Sequence, residues 1–360
     1  MVEPKVNIII VTYNDRQNLE VCLRSLFNQS YQNYDITISD NGSKDHSLEF
    51  VKENFPEVRF IENGSNFGYS EGNNIGVRAT DGDYVAVVNN DVEFDRNWLK
   101  SLIEVIRVDE RIGAVTSKIL FFDDREKINC LGNTVHFTGL VFCRKIGESS
   151  SEYSEVLEVP ATSGAAFVIS RKVINQYGFL DNNFGNLFGD DYWMSMEDTD
   201  LSWRLRLAGY KIMAVPASVI YHKYDLKFTP DKLYYLECGR YLWVLKNYSF
   251  STILLLLPSF FLTEMVVWTF ACLRGWAYLK LKFRSYVWLL SKRRVIRQRR
   301  KEQQAIRIIS DKTMLRQTVQ KIEPNPLIPR SKIFKLALNA VNLSYVVLFK
   351  TAYFFLGRKI

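Results

Sequence analysis

The sequence has few of the residues that commonly cross-link small or secreted proteins. Its 360 residues contain 5 cysteines, none of them in a Cys-x-x-Cys pair, and 3 histidines. This odd and widely spaced cysteine set excludes a disulfide framework and a zinc ribbon, and it indicates a reducing compartment. We see no basic, apolar leader at the N-terminus and therefore expect no secretory signal. The composition is 47% hydrophobic and 24% charged, which is typical of a packed globular protein and excludes a disordered or fibrous one.

Acidic residues are scarce in the last third of the chain. Residues 1–230 hold 33 Asp and Glu against 23 Lys and Arg, a net charge of −10, whereas residues 231–360 hold 6 acidic and 24 basic residues, a net charge of +18. Such a basic region favours nucleic acid or an anionic membrane surface as a partner. We expect no nucleic acid, because the basic residues have apolar flanks and no base-reading motif accompanies them.

Strand and helix patterns alternate through the acidic part of the chain. The β-branched run Val6–Val11 predicts a buried strand, and residues 15–28 repeat apolar positions with a helical period. Further alternation of this kind predicts an α/β fold with a mostly parallel central sheet flanked by helices. Because the composition changes after Pro230, we predict a catalytic domain over residues 1–230 and a basic helical region over residues 231–360.

Polar clusters follow the predicted strands, at the edge where an open α/β sheet binds ligands. They are Thr12-Tyr13-Asn14, Asp40-Asn41-Gly42-Ser43, Asn89-Asn90-Asp91, Glu197-Asp198-Thr199-Asp200 at a helix start, and the single His222. An aromatic residue and a carboxylate after the first two strands can stack on a nucleobase and accept its N–H. A carboxylate with a distant histidine suits Mg²⁺ or Mn²⁺, which would neutralise a diphosphate leaving group. A carboxylate at a helix start could act as a general base.

Each cluster also has a purely structural interpretation. The Asp40 and Asp91 clusters are rich in turn residues, Asp198 could serve only as a favourable charge at a helix N-terminus, and His222 could be an ordinary packed histidine. No single cluster decides between the interpretations. Their common position at strand ends and helix starts, in the order of one sheet, favours group transfer from a nucleotide diphosphate.

Several motifs resemble those of the family 2 glycosyltransferases. The matching segments are Val11–Asn14, Ser39–Asp45, Asn66–Gly68, Gly72–Gly76, Gly82–Val85, Asn89–Val92 and Glu197–Arg204. The block Ser163–Arg171 resembles the rhamnosyltransferase-like branch of that family. The resemblance implies a GT-A fold, an inverting mechanism and a divalent cation, Mg²⁺ or Mn²⁺.

The resemblance also implies a role for each matched residue. It assigns Thr12, Tyr13, Asn14, Asp40, Asn66, Gly68 and Asn90 to the nucleotide-sugar, Asp91 and His222 to the metal, and Asp198 to the catalytic base. Apart from the resemblance, we expect the aromatic-rich loop 181–196, which includes Trp193, to cover the acceptor, because aromatic side chains suit the apolar faces of sugar rings. Glu197 is a second acceptor candidate. Asp40 would read the N3–H of uracil or thymine, so a UDP- or dTDP-sugar is the expected donor. Asn89 and Asn90 stand where acidic residues are common, which leaves Asp91 as the only carboxylate of its motif.

The expected reaction is inverting transfer of a sugar to a hydroxyl of a glycan or lipid-linked acceptor, in the synthesis of cell-surface polysaccharide or glycoconjugate. A polyprenyl-phosphate glycosyltransferase remains an alternative. A sugar nucleotidyltransferase would need a Gly-rich loop with Lys or Arg after the first strand, where this chain has Thr12-Tyr13-Asn14. A binding module without activity is disfavoured by Asp91 and Asp198, and a Rossmann dehydrogenase is excluded because no GxGxxG follows the first strand.

The basic region contains an apolar segment, Ile253–Leu273, that is long enough to span a bilayer. Glu264 and Pro258 make it a poor span, so a transmembrane helix, an interfacial or re-entrant helix and a buried core helix all remain open. Lys292–Lys301 holds seven basic residues, which suit anionic lipid headgroups. We therefore expect residues 250–360 to attach the enzyme to the cytoplasmic face of the cell membrane.

Overall fold

The structure is a computed structural model that describes residues 3–182, 196–224, 227–328 and 330–356. The strands are β1 Val6–Thr12, β2 Tyr34–Asp40, β3 Arg59–Glu62, β4 Tyr84–Val88, β5 Val92–Phe94, β6 Ile112–Phe121, β7 Ile128–Cys130, β8 Asn133–Val135, β9 Val141–Cys143, β10 Leu157–Glu158, β11 Ala166–Ser170 and β12 Lys211–His222. The helices are α1 Arg16–Leu26, α2 Ser47–Asn54, α3 Gly68–Arg78, α4 Trp98–Ile106, α5 Arg171–Tyr177, α6 Glu197–Leu207, α7 Pro230–Asn247, α8 Phe250–Arg274, α9 Trp276–Ser291, α10 Arg293–Ala305, α11 Asp311–Leu315 and α12 Lys332–Phe355.

A mixed central sheet confirms the predicted α/β class. Its strand order is β10-β12-β6-β11-β4-β1-β2-β3, with β5 added to β12 and β7 to β6. The strands β3, β2, β1 and β4 run parallel, and β11 lies antiparallel between β4 and β6. The register of β1 and β2 pairs Thr12 with Asp40. The polar residues predicted at the two strand ends therefore lie side by side.

The core lies on both faces of this sheet because successive side chains of β1 point to opposite sides. Ile8 and Ile10 join one buried apolar cluster, and Ile9 joins the other. Helix α3 approaches β1 closely through glycine. A Cβ at Gly76 would lie only 2.5 Å from the Cγ2 atom of Ile9, so only glycine allows this approach.

The chain from Lys211 to His222 differs from the sequence-based expectation. The sequence predicts two strands, Lys211–Val215 and Ser218–Tyr221, whereas the structure has the single strand β12 with an irregular register between Val215 and Val219. The strand is continuous because both halves pair with β6. The short strand β5 is absent from the sequence interpretation. Its antiparallel pairing matches Val92 with His222, which brings His222 beside the residue that precedes Val92, Asp91.

The chain divides into two compact units by spatial proximity. The first comprises Met1–Asn133, Cys143–Leu205 and Tyr210–Asp225, and the second comprises Thr134–Phe142, Arg206–Gly209 and Leu226–Ile360. The second unit is helical and confirms the predicted C-terminal helical region. Among the described residues, two of its helices, α8 and α12, are long and apolar enough to cross a membrane.

Candidate active site

The loops that follow β1 and β2 are bonded to each other. The backbone N–H of Asn14 donates to the Ser43 hydroxyl at 2.9 Å, and the Asn14 side-chain oxygen accepts from the Lys44 N–H at 2.7 Å. Asn14 has a φ of 50°, a left-handed conformation that asparagine tolerates better than most residues. The loops are thus held together next to Thr12, which is buried, and Tyr13, whose side chain is 48% exposed.

Asp40 is buried at the end of β2 and organises the turn that follows. One carboxylate oxygen accepts the N–H groups of Gly42 at 3.1 Å and Ser43 at 3.0 Å, and the other accepts the Ser43 hydroxyl. This is the turn interpretation that the sequence left open. It does not exhaust the carboxylate, because each oxygen has two lone pairs and the oxygen that binds the Ser43 hydroxyl can accept one more donor.

The first turn of α3 is placed by Asn66. Its side-chain oxygen accepts the N–H of Gly68 at 3.1 Å, and Gly68 has a φ of 78° that favours glycine. The Asn41 side chain donates to the Gly68 carbonyl at 3.2 Å. On the other side of β1, the Asn90 side chain donates to the Thr12 hydroxyl at 3.2 Å. The assigned nucleotide residues are therefore linked in two groups, one at each side of the end of β1.

Asp91 and His222 come together as the sequence predicts. The Oδ2 atom of Asp91 lies 3.4 Å from Nε2 of His222. The other ring nitrogen, Nδ1, lies 3.1 Å from the Asn129 side-chain oxygen. A ring that donates its Nδ1–H to that oxygen would leave Nε2 as the atom that can bind a cation.

This pair fits a divalent cation. Asp91 Oδ1 is buried and has no hydrogen-bond partner in the part of the chain that the structure describes, an arrangement that costs free energy unless another group binds there. A carboxylate oxygen and an imidazole nitrogen 3.4 Å apart are also a common ligand pair, and Asn129 holds the ring as an outer partner would. Within the described residues, no group of three or more His, Cys, Asp and Glu side chains forms a metal site.

Asp198 is buried in the first turn of α6 and accepts four hydrogen bonds. Its Oδ2 atom accepts the Gly164 N–H at 2.7 Å and the Asn133 side chain at 3.0 Å. Its Oδ1 atom accepts the N–H of Thr199 at 2.6 Å and the hydroxyl of the same residue at 3.3 Å. Burial raises the pKa of Asp198 above the usual aspartate value, while the bonds from Thr199 and Gly164 oppose this shift.

Tyr69 relates the two acidic positions. Its hydroxyl donates to the Gly164 carbonyl at 2.6 Å. Burial raises the pKa of Tyr69 far above its usual value, and the charges of Glu197, Asp198 and Asp91 raise it further. The carbonyl of Ala165, the residue after Gly164, accepts the N–H of Asn89 at 3.0 Å, and Asp91 follows two residues later. The metal-binding and catalytic-base candidates therefore lie at the same edge of the sheet.

The two acceptor candidates have different outcomes. Glu197 is buried as the first residue of α6. Trp193 lies in residues 183–195, which are outside the described residues, together with most of the aromatic loop that the sequence places over the acceptor.

Sequence reasoning missed the side chains that hold the candidates in place. Asn129 and Asn133 lie between residues 121 and 160, where short strands leave no clear hydrophobic period to place them. Tyr69 carries no motif of its own. Gly164 lies within the Ser163–Arg171 block. Among these partners of the candidate residues, it alone belongs to a motif that the sequence analysis identified.

Comparison with known proteins gives the same assignment. A model of the family described as Glycosyl transferase family 2 matches residues 7–178. The poly-beta-1,6-N-acetyl-D-glucosamine synthase of Staphylococcus aureus is 25% identical over 219 residues, which cover 59% of this chain and 48% of the synthase. The N-acetylglucosaminyl-diphospho-decaprenol L-rhamnosyltransferase of Mycobacterium tuberculosis is 27% identical over 239 residues, which cover 60% of this chain and 75% of that enzyme.

The match spans about half the length of the staphylococcal synthase. Among solved structures, the crystal structure of GalNAc-T7 with UDP, GalNAc and Mn²⁺ aligns with a TM-score of 0.54 at 19% identity, over 66% of this chain and 48% of that chain. At this identity the likeness shows the fold. Residues 7–178, just under half of the chain, therefore match glycosyl transferase family 2, and the fold is GT-A.

Proposed function

We propose that the protein is an inverting glycosyltransferase that moves a sugar from a UDP- or dTDP-sugar to a hydroxyl of a glycan or lipid-linked acceptor. The observation that carries this proposal is that the Asp91–His222 pair and Asp198 lie at one edge of the sheet. Asn89, two residues before Asp91, is bonded to Ala165, and the neighbouring Gly164 is bonded to Asp198. A cation site and a general base at neighbouring positions are what displacement of a nucleoside diphosphate requires.

The donor nucleotide would bind at the ends of β1 and β2. Tyr13 is exposed there and can stack on a base, while Asp40 retains a lone pair on one carboxylate oxygen for the N3–H of uracil or thymine. Thr12 and Asn90, which are bonded to each other, would contact the ribose. Asn14, Asn66 and Gly68 would shape the surrounding loops.

Asp198 would accept the proton of the acceptor hydroxyl as that oxygen attacks the anomeric carbon. A general base works best when its pKa approaches the working pH, and burial moves the pKa of Asp198 in that direction. The N–H of Gly164 and the side chain of Asn133 hold one carboxylate oxygen in place, so that the carboxylate is oriented before the acceptor arrives.

Asp91 and His222 would hold Mg²⁺ or Mn²⁺. When bound, the cation would neutralise charge on the departing nucleoside diphosphate. Because Asp91 is the only carboxylate of its motif, we propose that cation and donor bind together, with diphosphate oxygens and water completing the ligand set. Asn129 positions the His222 ring for this task.

A thermal-shift panel of UDP, dTDP and GDP, each with and without Mn²⁺, tests the donor assignment. A ligand present at 100 times its dissociation constant stabilises the folded state by about 2.7 kcal/mol. We expect the largest shifts for UDP or dTDP with Mn²⁺. Guanine can also donate N–H groups to Asp40, so tighter binding of GDP than of both pyrimidine nucleotides would overturn the assignment.

We also propose that the second unit attaches the enzyme to the cytoplasmic face of the membrane, where lipid-linked acceptors are available. The two long apolar helices α8 and α12 and the net positive charge after residue 230 support this proposal.

A further inference from the structure

We propose that α8, α9 and α12 lie in the plane of an anionic lipid surface and do not cross the bilayer. This inference deepens the proposed membrane attachment and rests on it, but it does not depend on the nucleotide chemistry of the first unit. The partner is a phospholipid bilayer that carries negatively charged headgroups.

The single acidic residue of α8 belongs to a buried ion network. Arg240 donates two bonds of 2.7 Å to the Glu237 carboxylate and also contacts Glu264. Lys282 contacts Glu237 and donates to Glu264 at 2.7 Å. Arg240 and Glu237 are each 3% exposed, and Lys282 is fully buried. Two cations and two carboxylates therefore neutralise one another inside the second unit.

Hydroxyl groups complete the network. The Tyr241 hydroxyl receives a bond from Lys282 at 2.6 Å and lies 3.1 Å from Glu264, and the Tyr286 hydroxyl also donates to Glu264. The charged residues come from α7, α8 and α9, so the network ties three helices together. Glu264 is therefore paired with cations from the neighbouring helices and is not an unpaired charge within an apolar segment.

Helices α8 and α9 form an antiparallel pair. Gly275 joins them with a φ of 100°. Phe270 packs edge-on against Tyr278 near the turn, and Glu264 meets Lys282 further along both helices. Lys282 therefore lies level with Glu264, close to the middle of the 25-residue helix α8.

The position of Lys282 beside the middle of α8 argues against a transmembrane orientation of that helix. Lys280 and Arg284 are exposed and stand two residues on either side of Lys282, about 3 Å away along the helix axis. If α8 crossed the bilayer, both exposed charges would face the centre of the hydrocarbon. Lys and Arg are among the costliest residues at that depth.

The outer faces of the helices are nonetheless strongly apolar. On α8, large exposed apolar side chains recur at intervals of three or four residues, at Phe250, Leu254, Leu257, Phe261 and Met265. The buried face of the same helix carries mostly smaller side chains: Thr252, Leu256, Ser259, Thr263, Val267 and Ala271. Helices α9 and α12 also expose large apolar residues, including Phe283, Val287, Leu336 and Val347. A one-sided apolar helix is typical of the membrane interface.

Positive charge adjoins this apolar surface. On α10, Arg293, Arg294, Arg297 and Lys301 are exposed. Beside α12, a cavity of about 620 Å³ is lined by Lys312, Arg316 and Lys350 together with Phe349 and Phe354, and no acidic residue lines it. Cations next to aromatic side chains suit a phosphate headgroup with its acyl chain. This charge complementarity selects an anionic lipid surface as the occupant.

Cysteine labelling at the two ends of α8 tests the orientation. Ser251 and Cys272 are both exposed and are separated by about 32 Å of helix, which matches the hydrocarbon thickness. Two single-site proteins are compared, both with Cys143→Ser: one keeps Cys272, and the other carries Ser251→Cys with Cys272→Ser. Each is treated with a membrane-impermeant maleimide in sealed inside-out and right-side-out vesicles.

We expect both positions to react in vesicles of the same orientation. Reaction of one position in each orientation would show that α8 spans the bilayer and would overturn the proposal. Loss of nucleotide binding in the same preparation would count against the proposed function alone, because the labelling pattern does not depend on it.

Flotation of the full chain with vesicles tests the surface. Binding to phosphatidylglycerol vesicles should exceed binding to phosphatidylcholine vesicles by at least about 100-fold at low salt and weaken in high salt. The double variant Phe261→Glu and Met265→Glu should bind at least about tenfold less tightly. Val108→Glu, at an apolar residue that is 81% exposed in the first unit, is the control and should bind normally. Equal binding to both vesicle types, or a stable dimer that hides the apolar face without lipid, would contradict the proposal.

Discussion

Asp198 combines a structural and a chemical use of one carboxylate. Its four accepted hydrogen bonds hold the start of α6 against Gly164 and Asn133. Burial at the same time raises its pKa. Function and structure can therefore be separated only by measuring turnover and stability together.

We expect Asp198→Asn to lower kcat by at least about 100-fold, because an amide cannot accept the acceptor proton. Donor affinity should stay near that of the wild type, as measured by nucleotide titration. The amide nitrogen would face the donors Gly164 and Asn133, so the free energy of unfolding should fall by about 1–3 kcal/mol. The kinetics are therefore measured well below the Tm of the variant.

Glu197→Gln is the matched control for this substitution. Glu197 is buried in the same helical turn, and its change should reduce kcat less than that of Asp198. A near-normal kcat in Asp198→Asn would remove the general base from this residue.

We expect Asn133→Ala to change the pH dependence of the reaction. The hydrogen bond from Asn133 favours the ionised form of Asp198, so its loss raises the pKa of that carboxyl further. Because the base must be ionised, the acidic limb of kcat/KM should move to higher pH. An acidic limb that stays in place while kcat falls would mean that Asn133 has only a structural role.

At the scale of single residues, the sequence identified the candidate catalytic and metal-binding side chains but not the residues that hold them in position. Asp91 and His222 stand 131 positions apart and were paired by the resemblance and by metal chemistry. Asn129 and Asn133 were not foreseen, because asparagines in an irregular segment carry no period and no motif. Their importance appears only when the fold places them beside His222 and Asp198.

Among the elements, α3 depends on glycine for its distance from the sheet. The Cβ of an alanine at position 76 would lie 2.5 Å from Ile9 Cγ2. We expect Gly76→Ala to lower the free energy of unfolding by about 1–3 kcal/mol, because helix and strand must move apart. Ile9→Ala alone should cost about 2–5 kcal/mol.

Chemical denaturation of both single variants and the double variant checks this explanation. The double variant should be more stable than the sum of the two losses predicts, by about 1 kcal/mol or more, because each change makes room for the other. Simple additivity would show that Gly76 is not required by contact with Ile9.

Element boundaries were predicted best where a local pattern was complete. The sequence predicts a strand over Tyr84–Val88 and a helix over Ser47–Asn54, and β4 and α2 have these bounds. The strand is an apolar run between Asp83 and Asn89, and the helix ends just before Phe55-Pro56, where proline disfavours helical backbone. Strand β12 was divided in two because Pro216 interrupts the local pattern, whereas pairing of both halves with β6 keeps the strand together. Strand β5 has only three residues and forms through pairing with β12, which local sequence does not encode.

For the whole molecule, the charge asymmetry was visible from the sequence, but the arrangement of charges in the second unit was not. Glu264 made α8 a poor candidate for a span, and the sequence could not pair it with Arg240 and Lys282, which lie on other helices. Tertiary contacts of this kind need the fold. They change the interpretation of α8 from a weak span to a packed helix with one apolar outer face.

We expect Lys282→Met to lower the free energy of unfolding by about 3–5 kcal/mol, because it leaves two buried carboxylates with one cation. Lys280→Met, two residues away on the exposed side, is the control and should change stability by less than about 0.5 kcal/mol. Denaturant titration of both variants measures the two changes in the free energy of unfolding. Equal effects would show that the network does not hold the helices together.

The central claim is that one site binds a pyrimidine nucleoside diphosphate together with a divalent cation through Asp91. Calorimetric titration of UDP and dTDP into the wild type and Asp91→Asn, each with and without Mn²⁺, tests it most directly. We predict that Mn²⁺ tightens binding to the wild type by about tenfold or more, and that Asp91→Asn loses this tightening while still binding the nucleotide weakly. Retention of the full Mn²⁺ effect in Asp91→Asn, or failure of the wild type to bind either nucleotide with Mn²⁺, would contradict the account.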